Sequence, residues 1–488
     1  MSKPKTEWAV WLICLLAFVV IGLLADRIFE HVPHSEDEVA YLFQAKVFAQ
    51  NRLTVPTPAN PDAFWSPFVV DYQGVRFGKY PPGWPLLLSL GVRWGQPWLV
   101  NALLGVATLA LIARLGRLVY SPVIGLWAAG LGLITPGFLF LSASLLSHAA
   151  SLFWTSLALL ALYQLTEVRL PRRRDALLLG IALGCIFLTR PFAALGLGLA
   201  VAGYLGAGLL RREGAWPVLP WLVASGLLTT ALLPLYRWGL SGDPTFNPYL
   251  LVWPYDKVGF GPDVGPLGYS LADAIFINTR LKLTALGTGL FGWPGWSNLL
   301  FMPLIFISRR ANRWDWLLLG SLAGMIFVHL FYWAFGGIDG GFPRYYYDAL
   351  PALLLLTARG IVILSEGLRR WRPRLAYAPA ALVVGLTLYA VVFRWPGLVQ
   401  EQQGKYGITP ASVRLVAQAK LPEPALVLVQ GVETWSDFAA PFVANSPGLE
   451  GPVVYAIDWG PETRRRVRAQ FPGRSCWLLA EAELLACP

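Results

Sequence analysis

The sequence predicts a polytopic α-helical membrane protein with about eleven transmembrane helices, extracytoplasmic loops and a small C-terminal α/β domain. Composition is the first indication, because 56% of the 488 residues are hydrophobic and only 14% are charged, whereas soluble domains carry roughly 25% charged residues. The second indication is a series of long apolar stretches separated by short loops. The third is that arginine is concentrated in every second loop, as expected when alternate loops face the same side of a membrane.

The apolar stretches have the length of membrane spans, since a helix needs about 20 apolar residues to cross the hydrocarbon. The predicted spans are residues 8–25, 97–119, 122–140, 146–166, 175–190, 192–210, 216–238, 284–307, 315–335, 345–365 and 375–394. The first stretch lacks a small-residue cleavage site and follows few basic residues, so we expect a retained helix and not a cleaved signal peptide.

The orientation follows from the basic loops, which the positive-inside rule places in the cytoplasm. The protein is thus predicted to be a multi-pass protein of the cell membrane, with a cytoplasmic N-terminus and an extracytoplasmic C-terminal segment. The net charge of +11 does not indicate nucleic-acid binding, because the arginines lie at the ends of spans. The basic residues of these loops are Lys3, Lys5, Arg114, Arg117, Arg169, Arg172, Arg173, Arg174, Arg211, Arg212, Arg309, Arg310, Arg313, Arg369, Arg370, Arg372 and Arg374.

The chain divides into a transmembrane domain, 1–394, and an extracytoplasmic α/β domain, 395–488. The first outer loop, 26–83, contains residues 37–51, whose apolar residues share one helical face. We expect that helix to lie on the membrane surface. Residues 68–80 alternate like a β-hairpin that turns at Gln73-Gly74.

A second long outer loop, 239–283, is rich in Pro, Gly and aromatic residues. The C-terminal segment has apolar strand patterns at ALVLVQ, PVVYAID and SCWLL, with helices predicted at 433–443 and 461–470 between them. Alternation of this kind predicts a small parallel sheet. Cys476 and Cys487 either form a disulfide or remain two free thiols.

Three consecutive acids open the predicted surface helix. Glu36, Asp37 and Glu38 follow Ser35, which is a good helix cap, and acids also favour a helix N-terminus. At the membrane surface, however, a carboxylate could also act as a general base towards an acceptor hydroxyl or amine. Asp37 and Glu38 are the candidate catalytic residues.

Lys79 and Tyr80 precede two prolines where the chain re-enters the membrane. The lysine either pairs with a lipid phosphate or snorkels to the interface. His148 lies at the start of a predicted membrane span. A histidine there either has a functional role or forms a hydrogen bond to a neighbouring helix. His31 and His34 flank the acids, so a His/carboxylate metal site is conceivable, although their spacing is not diagnostic of one.

Two arginines are predicted at the outer membrane face, where a guanidinium suits bidentate phosphate binding. Arg190 precedes Pro191, and Arg344 begins the run Arg344-Tyr345-Tyr346-Tyr347-Asp348. The alternative for either arginine is a salt bridge to Asp348 or Asp339. Arg190, Arg344 and Tyr345 join Lys79, Tyr80 and His148 as candidate substrate-binding residues.

Taken in order, these motifs resemble glycosyltransferase superfamily C, in the branch of the dolichyl-phosphate-mannose–protein mannosyltransferases and the lipid A aminoarabinose transferases. The resemblance rests on Asp37-Glu38 followed by AYLFQAK, on YPPGWPLL at 80–87, and on Arg344-Tyr345 before a late span. It covers roughly residues 8–394. Many members have an acid between the third and fourth spans, whereas this chain has Ser144 to His148 there.

The resemblance implies an enzyme of the cell envelope that moves a sugar from a polyprenyl-phosphate donor to a lipid, glycan or protein acceptor, with inversion. Asp37 would be the base and Glu38 its neighbour, while Lys79 and Arg344 would bind the lipid phosphate. A divalent metal ion is compatible with the resemblance, but no ligands are assigned to it. The competing hypotheses are a lipid or small-molecule transporter or flippase, which would carry charges near the bilayer midplane, and a non-catalytic membrane assembly protein.

Overall fold

The computed structural model describes residues 3–167, 172–210, 216–480 and 483–487. Helices account for most of them, and Arg169, Arg211 and Arg212 of the predicted basic loops lie outside the described residues. The α-helices are α1 (Lys3–Arg27), α2 (Glu36–Ala49), α3 (Gly83–Arg93), α4 (Trp98–Val119), α5 (Pro122–Leu133), α6 (Pro136–Ala143), α7 (His148–Thr166), α8 (Arg173–Thr189), α9 (Pro191–Leu210), α10 (Leu219–Thr230), α11 (Leu232–Ser241), α12 (Tyr249–Val252), α13 (Arg280–Gly289), α14 (Pro303–Ile307), α15 (Arg313–His329), α16 (Leu350–Trp371), α17 (Ala378–Tyr389), α18 (Trp395–Gln402), α19 (Ala411–Ala419), α20 (Trp435–Ala444) and α21 (Pro461–Gln470).

Seven helical segments of the described chain are long and apolar enough to cross a membrane, or eight if the bent pair α5 and α6 forms one span. The bend of 65° in that pair falls at Thr135-Pro136. Two other predicted spans coincide with α8 and α15, which have 17 residues each. The count of about eleven therefore stays a prediction. The seven segments are Thr6–Arg27, Trp98–Val119, His148–Thr166, Pro191–Gly208, Leu219–Ser241, Arg344–Trp371 and Pro373–Gly407.

The predicted span 284–307 is not one helix. It consists of α13, a 3₁₀ turn at Gly295–Leu299 and α14. Gly292 and Gly295 have positive φ angles of 71° and 53°, and Pro294 lies between them. Residues with positive φ angles interrupt an α-helix, so these glycines prevent one continuous helix. Apolar composition alone therefore did not predict the structure of this segment.

Helix α2 is enclosed on several sides, so the prediction of a helix lying on the membrane surface is wrong. Tyr41 and Leu42 pack in the core of the membrane helices, whereas Val39 and Phe43 pack in a second core that includes the C-terminal sheet. Even Gln44 is buried, with its amide donating to the Leu53 carbonyl at 3.0 Å and accepting from the Gly78 N–H at 2.8 Å. The helix therefore connects two layers of the molecule.

The first outer loop folds into a three-stranded antiparallel sheet next to α2. Its strands are β1 (Val55–Pro56), β2 (Val69–Tyr72) and β3 (Val75–Gly78), in the order β1-β3-β2. The turn falls at Gln73 and Gly74, whose φ angles of 50° and 81° fit a type I′ hairpin. The predicted hairpin is thus confirmed. Two short strands, β4 (Ile338–Asp339) and β5 (Phe342–Pro343), pair just before Arg344.

The C-terminal segment contains a four-stranded sheet of β6 (Ala425–Val429), β7 (Val453–Ile457), β8 (Ser475–Ala480) and β9 (Glu483–Ala486). The order is β7-β6-β8-β9, with the first three strands parallel and β9 antiparallel. The predicted strands and the two helices between them are found, as α20 and α21. Cys476 and Cys487 form a disulfide with their Cα atoms 5.3 Å apart. The division of the chain into domains 1–394 and 395–488 stays a prediction.

Candidate active site

The site is built around the first turn of α2. Ser35 caps this helix, and its hydroxyl accepts from the Glu38 N–H at 3.4 Å. Successive residues of an α-helix point about 100° apart, because each turn holds 3.6 residues. Glu36, Asp37 and Glu38 therefore face different surroundings, although they are neighbours in sequence.

Asp37 faces two residues that sequence analysis assigned to substrate binding. Its carboxylate accepts from the Tyr80 hydroxyl and forms an ion pair with the Nη1 atom of Arg344 at 3.3 Å. The side chain is 27% exposed, so it remains accessible while it is held on two sides. The structure thus brings Asp37, Tyr80 and Arg344 together from three separate segments of the chain.

Glu38 has a different environment. It is 2% exposed, and its carboxylate accepts from the backbone N–H groups of Leu145 at 2.6 Å and His34 at 2.8 Å, and from the Ser35 hydroxyl at 3.0 Å. Burial raises the pKa of Glu38 to about 7, against the effect of these donors. These contacts hold α2 against the connection between α6 and α7, so Glu38 anchors the helix.

Arg344 holds two carboxylates at once. Besides Asp37, its guanidinium contacts Asp339 at 3.2 Å and donates to the Gly336 carbonyl. Asp339 is also bound by the Nζ of Lys405 at 2.8 Å. These two cations lower the pKa of Asp339 despite its burial. The salt-bridge alternative for Arg344 is therefore present in the structure, and it fixes the position of Asp37.

Lys79 is a buried cation among aromatic rings. It is 3% exposed, and its Nζ lies 3.4 Å from the centroid of the Phe68 ring and 4.5 Å from that of Trp253. No carboxylate among the described residues lies within ion-pair distance of it. Burial lowers its pKa to about 8. Asp37, Asp256 and Glu36 are near enough to counteract part of this effect on its charge. With 3% of its surface exposed, Lys79 does not extend to the protein surface as a snorkelling lysine would.

A second group of candidate residues surrounds Arg190. Its Nη1 lies 2.8 Å from the Nε2 of His148, and its Nε lies 3.4 Å from the Asp348 carboxylate. Another nitrogen donates to the backbone carbonyl of Arg344 at 3.1 Å. Arg190 therefore takes part in the predicted salt bridge with Asp348 and connects His148 to Arg344. The Tyr345 ring lies 6.0 Å from its guanidinium.

Sequence reasoning missed Lys282, which approaches the same Tyr345 ring. Lys282 is 1% exposed, with its Nζ 5.0 Å from the centroid of Tyr345, and it has no ion-pair partner among the described residues. It stands two residues after Arg280 near the start of a predicted span, where basic residues are ordinary. Asp256 was also missed; it is buried and accepts from Tyr332 at 2.9 Å and Trp333 at 3.1 Å.

The arrangement therefore combines the accessible carboxylate of Asp37 with four buried or half-buried cations. Two of the cations, Arg190 and Arg344, form ion pairs with acids, whereas Lys79 and Lys282 contact aromatic rings and form no ion pair among the described residues. No group of three or more His, Cys, Asp or Glu side chains in the described part of the chain is placed to hold a metal ion. The function proposed below is accordingly derived from the side chains alone.

Comparison with known proteins identifies the fold. No protein-family model and no curated protein matches the chain. The crystal structure of ArnT from Cupriavidus metallidurans bound to undecaprenyl phosphate matches it with a TM-score of 0.60 at 14% identity, covering 98% of this chain and 93% of that one. The apo form of ArnT gives a TM-score of 0.56 at 16% identity, covering 96% and 89%.

An oligosaccharyltransferase from Archaeoglobus fulgidus, in its apo form, gives a TM-score of 0.47 at 14% identity and covers 92% of this chain and 65% of that one. The chain has the fold of ArnT, and the resemblance stated from the sequence is confirmed at the level of the fold. The fold shared with ArnT extends over nearly the whole chain.

Proposed function

We propose that the protein is an integral-membrane glycosyltransferase that moves a sugar from a polyprenyl-phosphate donor to an acceptor on the extracytoplasmic side. The observation that carries this proposal is the accessible carboxylate of Asp37, held by Arg344 and Tyr80 beside buried cations that form no ion pair among the described residues. The shared fold with ArnT, which was crystallised with undecaprenyl phosphate, supports the choice of donor.

The lipid phosphate is assigned to the unpaired cations. A buried ammonium surrounded only by rings is costly, because the rings replace just a part of its hydration. A phosphate would supply the direct ion pair and the hydrogen-bond acceptors that Lys79 and Lys282 do not find among the described residues. Arg190 and Arg344 are already paired, so they would contribute through the N–H groups that their acids leave free.

Asp37 is assigned the role of base. An acceptor hydroxyl or amine would give its proton to the Asp37 carboxylate while its oxygen or nitrogen attacks the anomeric carbon of the donor. The bond from that carbon to the phosphate oxygen breaks, and the electron pair leaves with the phosphate towards the cations. Attack from the face opposite to the leaving group inverts the configuration. Tyr80 and Arg344 orient the carboxylate from two sides.

Glu38 serves this mechanism indirectly. Its three hydrogen bonds hold the first turn of α2 against the connection after α6, so that Asp37 stays between its two partners. The acceptor, whether lipid, glycan or protein, would approach from the exposed side of Asp37. The proposed extracytoplasmic location of the site follows from the basic loops of the sequence.

The test uses purified protein in nanodiscs, a panel of radiolabelled undecaprenyl-phosphate sugars, and membrane fractions as a source of acceptors. We expect Asp37→Asn to reduce transfer by about 100-fold or more, in the range of general-base contributions, with binding of undecaprenyl phosphate retained. Glu36→Gln removes a charge from the neighbouring position and should retain most activity. Near-normal transfer by Asp37→Asn would move the role of base to Glu36, Glu38 or His148. Failure of the wild type to use any donor of the panel would refute the proposed function.

A further inference from the structure

A separate cavity of about 270 Å³ has Arg344 in its wall. Asp37, Lys79 and Arg190 do not line it, so it is distinct from the space assigned to the donor phosphate. We refer to it as the His34 cavity, after its most unusual residue. The residues that matter here are His34, Glu38, Asp339 and Lys405 on its polar side, and Phe29 and Phe140 on its apolar side.

His34 is a buried polar side chain without a partner. It is 2% exposed, and neither ring nitrogen has a hydrogen bond within the described part of the chain. The Ile408 carbonyl lies nearby but outside hydrogen-bond geometry. Burial lowers the pKa of His34 to about 4, so at neutral pH the ring offers one donor and one acceptor. Buried polar groups are normally satisfied, which indicates that a ligand with both donors and acceptors completes this site.

Two of the three carboxylates that line the cavity, Asp339 and Glu38, are already satisfied by donors, and the third, Glu401, is exposed to solvent. Asp339 is bound by Arg344 at 3.2 Å and by Lys405 at 2.8 Å. The Glu38 carboxylate is occupied by three donors. A phosphate would face three acids, and a cation next to Asp339 would face the two basic residues that already hold it. The electrostatics therefore disfavour an ionic ligand and favour a neutral one with hydroxyl groups.

The size and the apolar walls agree with a small ring. Sites for drug-sized ligands begin at roughly 300 Å³, so this cavity suits a smaller molecule such as a monosaccharide unit. The Phe29 ring packs 5.4 Å from the His34 ring and 6.4 Å from the Phe140 ring, which gives the cavity an aromatic surface. Such a surface matches the C–H face of a sugar, while His34 and the paired charges match its hydroxyl groups.

We infer that the His34 cavity binds a neutral, hydroxyl-rich sugar unit of the acceptor. This rests on the proposed function, because the role of acceptor follows from the link to the base. Arg344 lines the cavity, and the same guanidinium contacts Asp37 at 3.3 Å. An acceptor sugar held by His34 would thus be separated from the proposed base Asp37 by the Arg344 side chain. Of the acceptors proposed above, which are a lipid, a glycan or a protein, this site favours a molecule that carries a glycan.

The experiment measures binding of methyl glycosides of neutral hexoses to the full-length protein by saturation-transfer NMR and calorimetry, with inorganic phosphate as a charged comparator. His34→Phe removes both ring nitrogens but keeps an aromatic ring against Phe29. Ile338→Trp fills the cavity from a strand residue that is 36% exposed, where the fold should tolerate it. His31→Phe makes the same chemical change outside the cavity lining and serves as the matched control.

We expect both cavity variants to weaken glycoside binding by about tenfold or more, the effect of losing one or two hydrogen bonds or the space itself. The control His31→Phe should bind glycosides as tightly as the wild type does, and all variants should still bind undecaprenyl phosphate. Three outcomes would overturn the inference and leave the proposed function intact. The wild type does not bind glycosides, both cavity variants bind them as tightly as the wild type does, or inorganic phosphate competes with them. His34-dependent glycoside binding by a protein that transfers no sugar would refute the proposed function instead, and with it the role of acceptor site.

Discussion

Replacement of Lys79 by methionine should stabilise the protein without ligand and weaken its binding of undecaprenyl phosphate. Burial lowers the pKa of Lys79 from 10.5 to about 8, and at about 1.4 kcal/mol per pH unit its charged form costs the folded state about 3 kcal/mol. Methionine removes this cost and forfeits cation–π contacts worth about 1 to 2 kcal/mol. The net gain in unfolding free energy should therefore be about 1 to 2 kcal/mol, seen as a higher Tm.

Affinity should change in the opposite direction. Hydrogen bonds from a charged group to a phosphate are worth about 1.5–3 kcal/mol, which corresponds to a roughly 10- to 100-fold weaker Kd for undecaprenyl phosphate. The pH dependence has a definite sign. Because the folded-state pKa of Lys79 is below the unfolded value, stability should rise as pH increases from about 8 to 10.5. Wild-type affinity should fall above pH 8, and Lys79→Met should lose this dependence.

Lys46 provides the matched control for Lys79. Burial also lowers the pKa of Lys46 to about 8, but its Nζ donates to the carbonyls of Val443 and Asn445. Lys46→Met leaves these carbonyls without donors, so it should raise neither Tm nor Kd. Thermal unfolding and microscale thermophoresis from pH 7 to 9 measure both quantities. An unchanged Kd in Lys79→Met, or a Tm well below that of the wild type, would show that Lys79 only packs the loop.

Three further outcomes are expected. Arg344→Lys keeps the charge but loses the planar fork, so undecaprenyl phosphate should bind about tenfold more weakly; unchanged affinity in both Arg344→Lys and Arg344→Ala would make the arginine purely structural. An impermeant maleimide should label a cysteine introduced within 395–488 from outside and miss one within 169–174, and the reverse pattern would invert the topology. Alkylation of folded, unreduced protein should leave Cys476 and Cys487 unmodified in the intact mass, whereas two added groups would exclude their bond.

Local sequence signals predicted local structure well. The hairpin was predictable because Gln73-Gly74 favours positive φ angles between alternating strands. The strands β6, β7 and β8 were predictable because each is a short apolar run bounded by turn residues. In both cases the information lies within about ten residues, where backbone preference and burial point to the same structure.

The parts that sequence did not reveal depend on distant residues. Periodicity showed the apolar face of α2 but not that a second layer covers its other side, since Gln44 finds its partner at Gly78. Asp37 was predicted as the base, yet its partner Arg344 lies far along the chain. Lys282 gave no signal at all, because a lysine near a span end usually faces water, and only the tertiary structure shows Tyr345 beside it.

The enclosure of α2 also limits how this protein can be divided. Val39 and Phe43 are buried against the C-terminal layer, while Tyr41 and Leu42 are buried against the membrane helices. A chain shortened after residue 394 would expose Val39 and Phe43 on the helix that carries Asp37. The C-terminal sheet therefore cannot be exchanged freely, since a sheet taken from another protein would need a surface that matches this helix.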